Sequence, residues 1–257
     1  MSTTIPELAS LALSVSMASA AGLVGCFAIM RRMALAADPM SHVALPGMGV
    51  ALLLRVNPLL GALTALLLGA VLIWAMERRS RISTEAIIGV TFSVALALGS
   101  TITSGEALID ALFGNAGRLT PWESLLGVIG PLSVIVFILR ARHALVVTLV
   151  SPDIATTSSV NVGRIQLYFL LAFALTVGLG LRYLGVLLMG SLIIIPAAFA
   201  RRFARSLNSM FLLSVSTAVC STLLGTYLAT ILGRQSGPFI VMIAGALFFA
   251  SLLLRRG

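Results

Sequence analysis

Stretches of apolar residues follow one another along almost the whole chain, separated by short polar joints. Each is about 20 residues long, the length a helix needs to cross a bilayer core of about 30 Å. Nine windows can be drawn, at residues 8–30, 36–54, 58–76, 84–104, 122–139, 164–182, 185–200, 208–231 and 237–254. Lipid offers no partner to a backbone N–H or C=O, so a spanning segment must satisfy its own polar groups; runs this long and continuous do so as helices. The expectation is an all-α, polytopic transmembrane helix bundle of about nine spans (eight to ten), forming a single domain over residues 1–257. Composition agrees, because a chain 59% hydrophobic and only 10% charged cannot cover a soluble domain of this size. The first window has no basic segment before it and is too long for a signal-peptide core, so it is expected to stay as a helix.

All 17 cations are arginines, and they cluster at the joints rather than within the windows. With the N-terminus outside, thirteen (Arg31, Arg32, Arg78, Arg79, Arg81, Arg140, Arg142, Arg164, Arg201, Arg202, Arg205, Arg255 and Arg256) fall on the cytoplasmic side. Only Arg55, Arg118, Arg182 and Arg234 fall outside. That asymmetry sets the expected orientation, N-terminus out and C-terminus in. It also explains the net charge of +9 without nucleic acid, which is not an expected partner. The chain contains no lysine, so it carries no Walker A loop and any nucleotide hydrolysis must come from another subunit. Cys26 and Cys220 both lie in apolar runs and read as lipid- or protein-packed thiols.

Two joints exceed a simple turn. The outer one, residues 105–121, carries Glu106 and Asp110, four apart; they would attract cations at an outer mouth or simply keep a loop polar. The inner one, residues 140–164, holds an apolar strip from Ala144 to Val150, then Ser151-Pro152-Asp153 and a polar stretch through Asn161. It reads either as a docking surface for a soluble partner or as a solvated connector.

Ionisable groups inside a span cost about 2.5–3.5 kcal/mol each on insertion scales and need a reason to be there. The conspicuous set is Asp38-Pro39-Met40-Ser41-His42, with Leu45-Pro46-Gly47 one turn later. On a helix, positions 38 and 42 share a face. A carboxylate and an imidazole so placed make half of a site for zinc, manganese or ferrous iron, able to hold a cation without trapping it. The alternative is structural: Asp38 as a helix N-cap, Pro39 at the first helical position and His42 as a buried, hydrogen-bonded histidine. Pro46 and Pro196 imply breaks or kinks, which line cavities in some bundles and only pack in others. Glu85, after Ser83 and Thr84, suits a helix start.

The run Gly25-Cys26-Phe27 through Arg31-Arg32-Met33, then Asp38-Pro39-Met40-Ser41-His42-Val43-Ala44-Leu45-Pro46-Gly47, resembles the permease subunits of ABC importers for zinc, manganese and iron ions. The resemblance continues through Glu85-Ala86-Ile87-Ile88-Gly89, Leu112-Phe113-Gly114, Pro152-Asp153-Ile154-Ala155, Val160-Asn161-Val162 and Gly185 to Arg201, covering about residues 10–254. It implies a vitamin-B12-importer-like (type II) permease in the bacterial inner membrane. The implied partners are a second permease copy (a homodimer), an ATP-binding cassette ATPase subunit, an extracytoplasmic metal-binding protein and the lipid bilayer. No cofactor is expected to be held permanently; the divalent metal ion is cargo. Asp38 and His42 become transient pathway ligands, Pro46, Gly47 and Pro196 gating or kink positions, and Pro152, Asp153 and Asn161 the residues that couple to the ATPase. Thr156-Thr157-Ser158-Ser159 departs from the charged residue or glycine that relatives usually carry in the ATPase-facing stretch. Competing readings are a siderophore or cobalamin permease, a secondary transporter that works alone, and a membrane enzyme. The last lacks a His-Glu-x-x-His run or a Gly-x-Ser-x-Gly elbow.

Overall fold

The computed structural model describes residues 4–80, 82–102, 121–151, 155, 160–184 and 186–253. Every regular element among them is helical. In chain order these are α1 (Thr4–Met30), a 3-10 turn (Ala34–Ala36), α2 (Ala37–His42), α3 (Ala44–Leu53), α4 (Pro58–Arg79) and α5 (Thr84–Ile102). After them come α6 (Pro121–Val150), α7 (Val162–Leu184), α8 (Val186–Phe203), α9 (Leu207–Leu232) and α10 (Ser236–Leu253).

Local chemistry sets the ends. Asn57 precedes α4 and its Oδ1 accepts the N–H of Leu59 at 2.8 Å, with Pro58 at the first helical position. Arg78 and Arg79 then complement the negative end of the same helix. Ser206 starts α9 in the same way, accepting from the N–H of Ser209, and Gly233 ends it in the left-handed conformation. The last turn of α1 closes with Met33 N–H on the carbonyl of Ala28 and Arg32 N–H on that of Ile29. That is a Schellman reversal, in which Arg32 holds the positive φ (60°) that glycine usually supplies.

Among the described residues seven helices (α1, α4, α5, α6, α7, α9 and α10) are long and apolar enough to cross a membrane. The other two expected windows take different forms. Residues 36–54 are not one helix: the chain breaks at Val43 into α2 and α3. Residues 185–200 become the 18-residue α8, which runs on through Pro196. The fifth window is longer than expected, since α6 continues from 139 to Val150, and α7 begins at Val162. Ala144 to Val150, read as a strip within a loop, is the last part of a helix, its apolar residues continuing the α6 pattern.

The core forms where backbones touch. α1 is central, with 67% of its spanning window buried against 17% for α10, which faces outward. A Cβ on Gly25 would lie 1.9 Å from the carbonyl oxygen of Ile193, so only glycine lets α1 and α8 cross this closely. Ser214 on α9 donates its hydroxyl to the carbonyl of Gly22 at 2.8 Å, joining α9 to the same seam. Phe27 sits between Phe169 of α7 and Phe211 of α9, with ring centroids 6.3 and 5.6 Å away. A second seam joins α3 to α4, and α4 packs along α7.

Candidate functional site

The Asp38–His42 pair is carried by α2, a helix of six residues inserted between the α1 reversal and the break at Val43. The helix begins at Ala37, and the cap position, Ala36, is itself helical with no side-chain cap bond. Asp38 is therefore inside the first turn rather than an N-cap. Its carboxylate is exposed on this single chain and is bonded to no other described residue; only its backbone carbonyl is engaged, by the Ser41 hydroxyl at 2.6 Å. His42 lies one turn on, on the same face, half-buried, with its ring 5.4 Å from that of Phe92 on α5. On the other side, Gly190 of α8 faces Asp38: a Cβ there would come to 3.9 Å from Asp38 Cβ. The pair thus sits between Phe92 of α5 and Gly190 of α8, on a helix inserted within a membrane bundle. An unpaired carboxylate is costly there, and a cation would relieve the cost.

Among the described residues no three His, Cys, Asp or Glu side chains gather to hold a metal ion. One chain offers two ligands on one face and leaves the rest of any coordination shell open, which suits passage better than storage.

The break beside the pair has a simple cause. Pro46 has no N–H and cannot bond the carbonyl of His42 four residues back, and at the same break the N–H of Val43 bonds the carbonyl of Met40, three back, at 3.1 Å. The discontinuity thus falls three residues before the proline that produces it. Gly47, expected at a gate or kink, makes no kink: it lies within continuous α3 and makes a close contact. A Cβ on Gly47 would be 2.1 Å from the carbonyl oxygen of Gly61, and one on Gly61 would be 2.2 Å from that of Gly47. Pro196 is buried within α8, next to the Ala197 Cβ that faces Gly25.

Of the residues expected to couple to a soluble partner, Pro152 and Asp153 lie outside the described residues. Asn161 is exposed and caps α7, its Oδ1 accepting the N–H of Arg164 at 3.0 Å. Glu106 and Asp110, expected at an outer mouth, also lie outside the described residues. Glu85 is exposed in the first turn of α5, where the cap is supplied by Ser83, whose Oγ accepts the N–H of Ala86 at 3.4 Å.

Two carboxylates that sequence reasoning did not single out organise the two poles of the bundle. At the arginine-rich pole, Glu77 on α4 accepts the Thr84 hydroxyl at 2.6 Å and lies close enough to Arg31 to act on it electrostatically. Burial lowers the pKa of Arg31 from its ordinary value, Glu77 opposes that shift, and the guanidinium lies 5.0 Å over the ring of Phe169. It remains charged at any physiological pH. At the opposite pole, Glu123 at the start of α6 is almost fully buried and pairs with Arg182 of α7 at 3.5 Å. Its carboxylate also accepts from Asn57 Nδ2 at 3.2 Å, and its backbone carbonyl takes the Tyr183 hydroxyl. The signal in the sequence is a charged residue within a turn of each span end; the partners of Glu123, 59 and 66 residues away, leave no mark there.

A profile described as the ABC 3 transport family matches residues 7–255. The chain is 30% identical to the high-affinity zinc uptake system membrane protein ZnuB of Haemophilus influenzae, over 91% of each chain. It is 31% identical to the manganese import system permease protein ScaB of Streptococcus parasanguinis, over 94% of this chain and 88% of that one. Among solved structures, PsaBC from Streptococcus pneumoniae in complex with Fab superposes with a TM-score of 0.80 at 28% identity, covering 95% of this chain and 89% of the other.

Proposed function

The chain belongs to the ABC 3 transport family, and from that premise we propose that it is the multi-pass membrane permease of an ATP-driven importer for a divalent transition metal. Zinc and manganese are the ions named for its relatives; ferrous iron fits the same ligand pair and is the third candidate. The observation that carries the reading is an unpaired carboxylate and an imidazole on one face of a short, interrupted helix inside a family match that spans the chain. Asp38 and His42 act as transient ligands for a cation delivered from outside. A second copy covers the exposed face that carries Asp38 and completes the coordination shell, and α2–α3 and α8 supply the two further crossings that bring the count to nine. The segment between Val150 and Val162 meets a cassette ATPase, and an extracytoplasmic binding protein supplies the ion. Nucleotide-driven closure then alternates access between the two sides.

The test is uptake of radiolabelled zinc and manganese into vesicles that contain the permease, its ATPase and the binding protein. Asp38→Ala and His42→Ala are each expected to lower uptake by about tenfold or more, the scale of losing a charge-assisted ligand, with assembly of the complex unchanged. Wild-type uptake by both variants would remove the pair from the pathway.

A further inference from the structure

The segment read as the ATPase contact ends at Asn161, and the first residues after it are fixed to a neighbouring helix rather than left to α7 alone. Trp74 of α4 donates its indole N–H to the carbonyl of Gly163 at 2.7 Å. That carbonyl lies in the first turn of α7, two residues beyond the Asn161 cap. Arg78, one turn along α4, stacks 5.1 Å over the same indole and packs beside Gly163. The contact is a directional bond between two helices whose inner ends would otherwise meet through side-chain packing alone.

The same two helices are joined at two further levels. Midway, Leu63 and Leu66 of α4 close over Gly178 of α7, where a Cβ would be only 2.7–2.9 Å from their methyl groups. At the outer pole, Asn57, which caps α4, bonds Glu123, which pairs with Arg182 of α7. α4 in turn meets α3 backbone to backbone at Gly47 and Gly61, a contact with no side chain to yield. The chain itself breaks at Val43 between α3 and α2, and α2 rests on α5, α7 and α8. α7 meets the end of α1 through the edge-on packing of Phe27 on Phe169 and the Arg31 guanidinium over the same ring.

We propose that Trp74 is a positioning residue of the transport cycle. Its indole N–H makes α7 and α4 respond together to displacement of the 151–161 segment, and α3 carries that movement to the break at Val43, beside the Asp38–His42 pair. This rests on the reading that the 151–161 segment meets an ATPase. It adds the route by which that contact reaches the ions, and it assigns the flexible point to the Pro46-induced break rather than to Gly47 or Pro196. A two-state linkage of this kind requires elements that move together and a compliant joint; the α4–α7 clamps supply the first and the break at Val43 the second.

Trp74→Phe deletes the N–H and keeps the ring, while Arg78→Ala removes the stacked cation and keeps the N–H. In the vesicle system above, ATP hydrolysis, manganese uptake and thermal unfolding are measured for both. Trp74→Phe should hydrolyse ATP within twofold of wild type while ions moved per ATP fall about fivefold, the scale of one net hydrogen bond. Arg78→Ala should keep the wild-type ratio. The proposal is overturned if Trp74→Phe keeps that ratio, if Arg78→Ala lowers it equally, or if hydrolysis, uptake and unfolding temperature fall together. A wild-type protein whose uptake does not depend on ATP would remove the underlying reading, and this arm involves no substitution.

Discussion

Gly25 shows how little freedom single residues have where helices cross in lipid. The oxygen of Ile193 occupies the space where any Cβ would go, and the obstacle is backbone, which cannot rotate away. Gly25→Ala is therefore expected to cost about 2–3 kcal/mol, the upper range for overpacking a tight core. Gly245→Ala on α10, where nothing lies within 4 Å of the added methyl, should instead stabilise by about 0.5–1 kcal/mol through helix propensity. Unfolding of the two variants in detergent, by denaturant or heat, would show opposite signs; the same sign for both would contradict the packing assigned here. Only part of this was legible in the sequence. Gly22 and Gly25 mark a close contact, but Ile193 and Ser214, their partners, lie far along the chain. Likewise Asp38 and His42 stood out because lipid makes any ionisable residue conspicuous, whereas the exposure of Asp38 depends on α5 and α8 packing around it.

Elements were more legible than their interruptions. Hydrocarbon requires about 20 apolar residues per crossing, and the windows for α4, α5, α7, α9 and α10 match the observed helices to within a few residues at most ends. The window at 36–54 did not, because its apolar content is continuous through Val43 and a proline breaks the hydrogen-bond ladder upstream of its own position. Restoring the missing donor tests that account. Pro46→Ala should let the N–H of residue 46 reach the carbonyl of His42 and fuse α2 with α3. The expected result is a thermally more stable permease with uptake lowered about tenfold or more, the direction expected when local strain at a functional site is relieved. A variant with wild-type uptake would show that the break is dispensable. The end of α6 was missed for a different reason: Arg140 and Arg142 resemble a span boundary, yet Arg142 is satisfied by the Asn208 side chain at 3.0 Å and the helix carries on beneath it.

At the scale of the whole molecule the two poles differ in chemistry. One gathers Arg31, Glu77 and Arg78 with Arg201 on the carbonyl of Ile29 and Arg202 on that of Leu252, so that cations meet the carboxyl ends of α1 and α10. The other is sealed by Asn57, Glu123 and Arg182. If the first pole is cytoplasmic, as the arginine distribution requires, single cysteines will report it. In a background with Cys26 and Cys220 replaced by serine, Arg234→Cys should react with an impermeant maleimide on intact spheroplasts. Arg205→Cys should react only after permeabilisation, and the reverse pattern would invert the topology.

The burial of α1 bears on how the molecule is made. The most enclosed of the spanning helices is made well before the neighbours that enclose it, α8 and α9, which begin at Val186 and Leu207. During synthesis α1 must wait in lipid with Gly22, Gly25 and Cys26 uncovered until most of the chain has been inserted. The seam therefore closes only once α8 and α9 are in place, and a chain cut short before α8 leaves it unfinished in the bilayer.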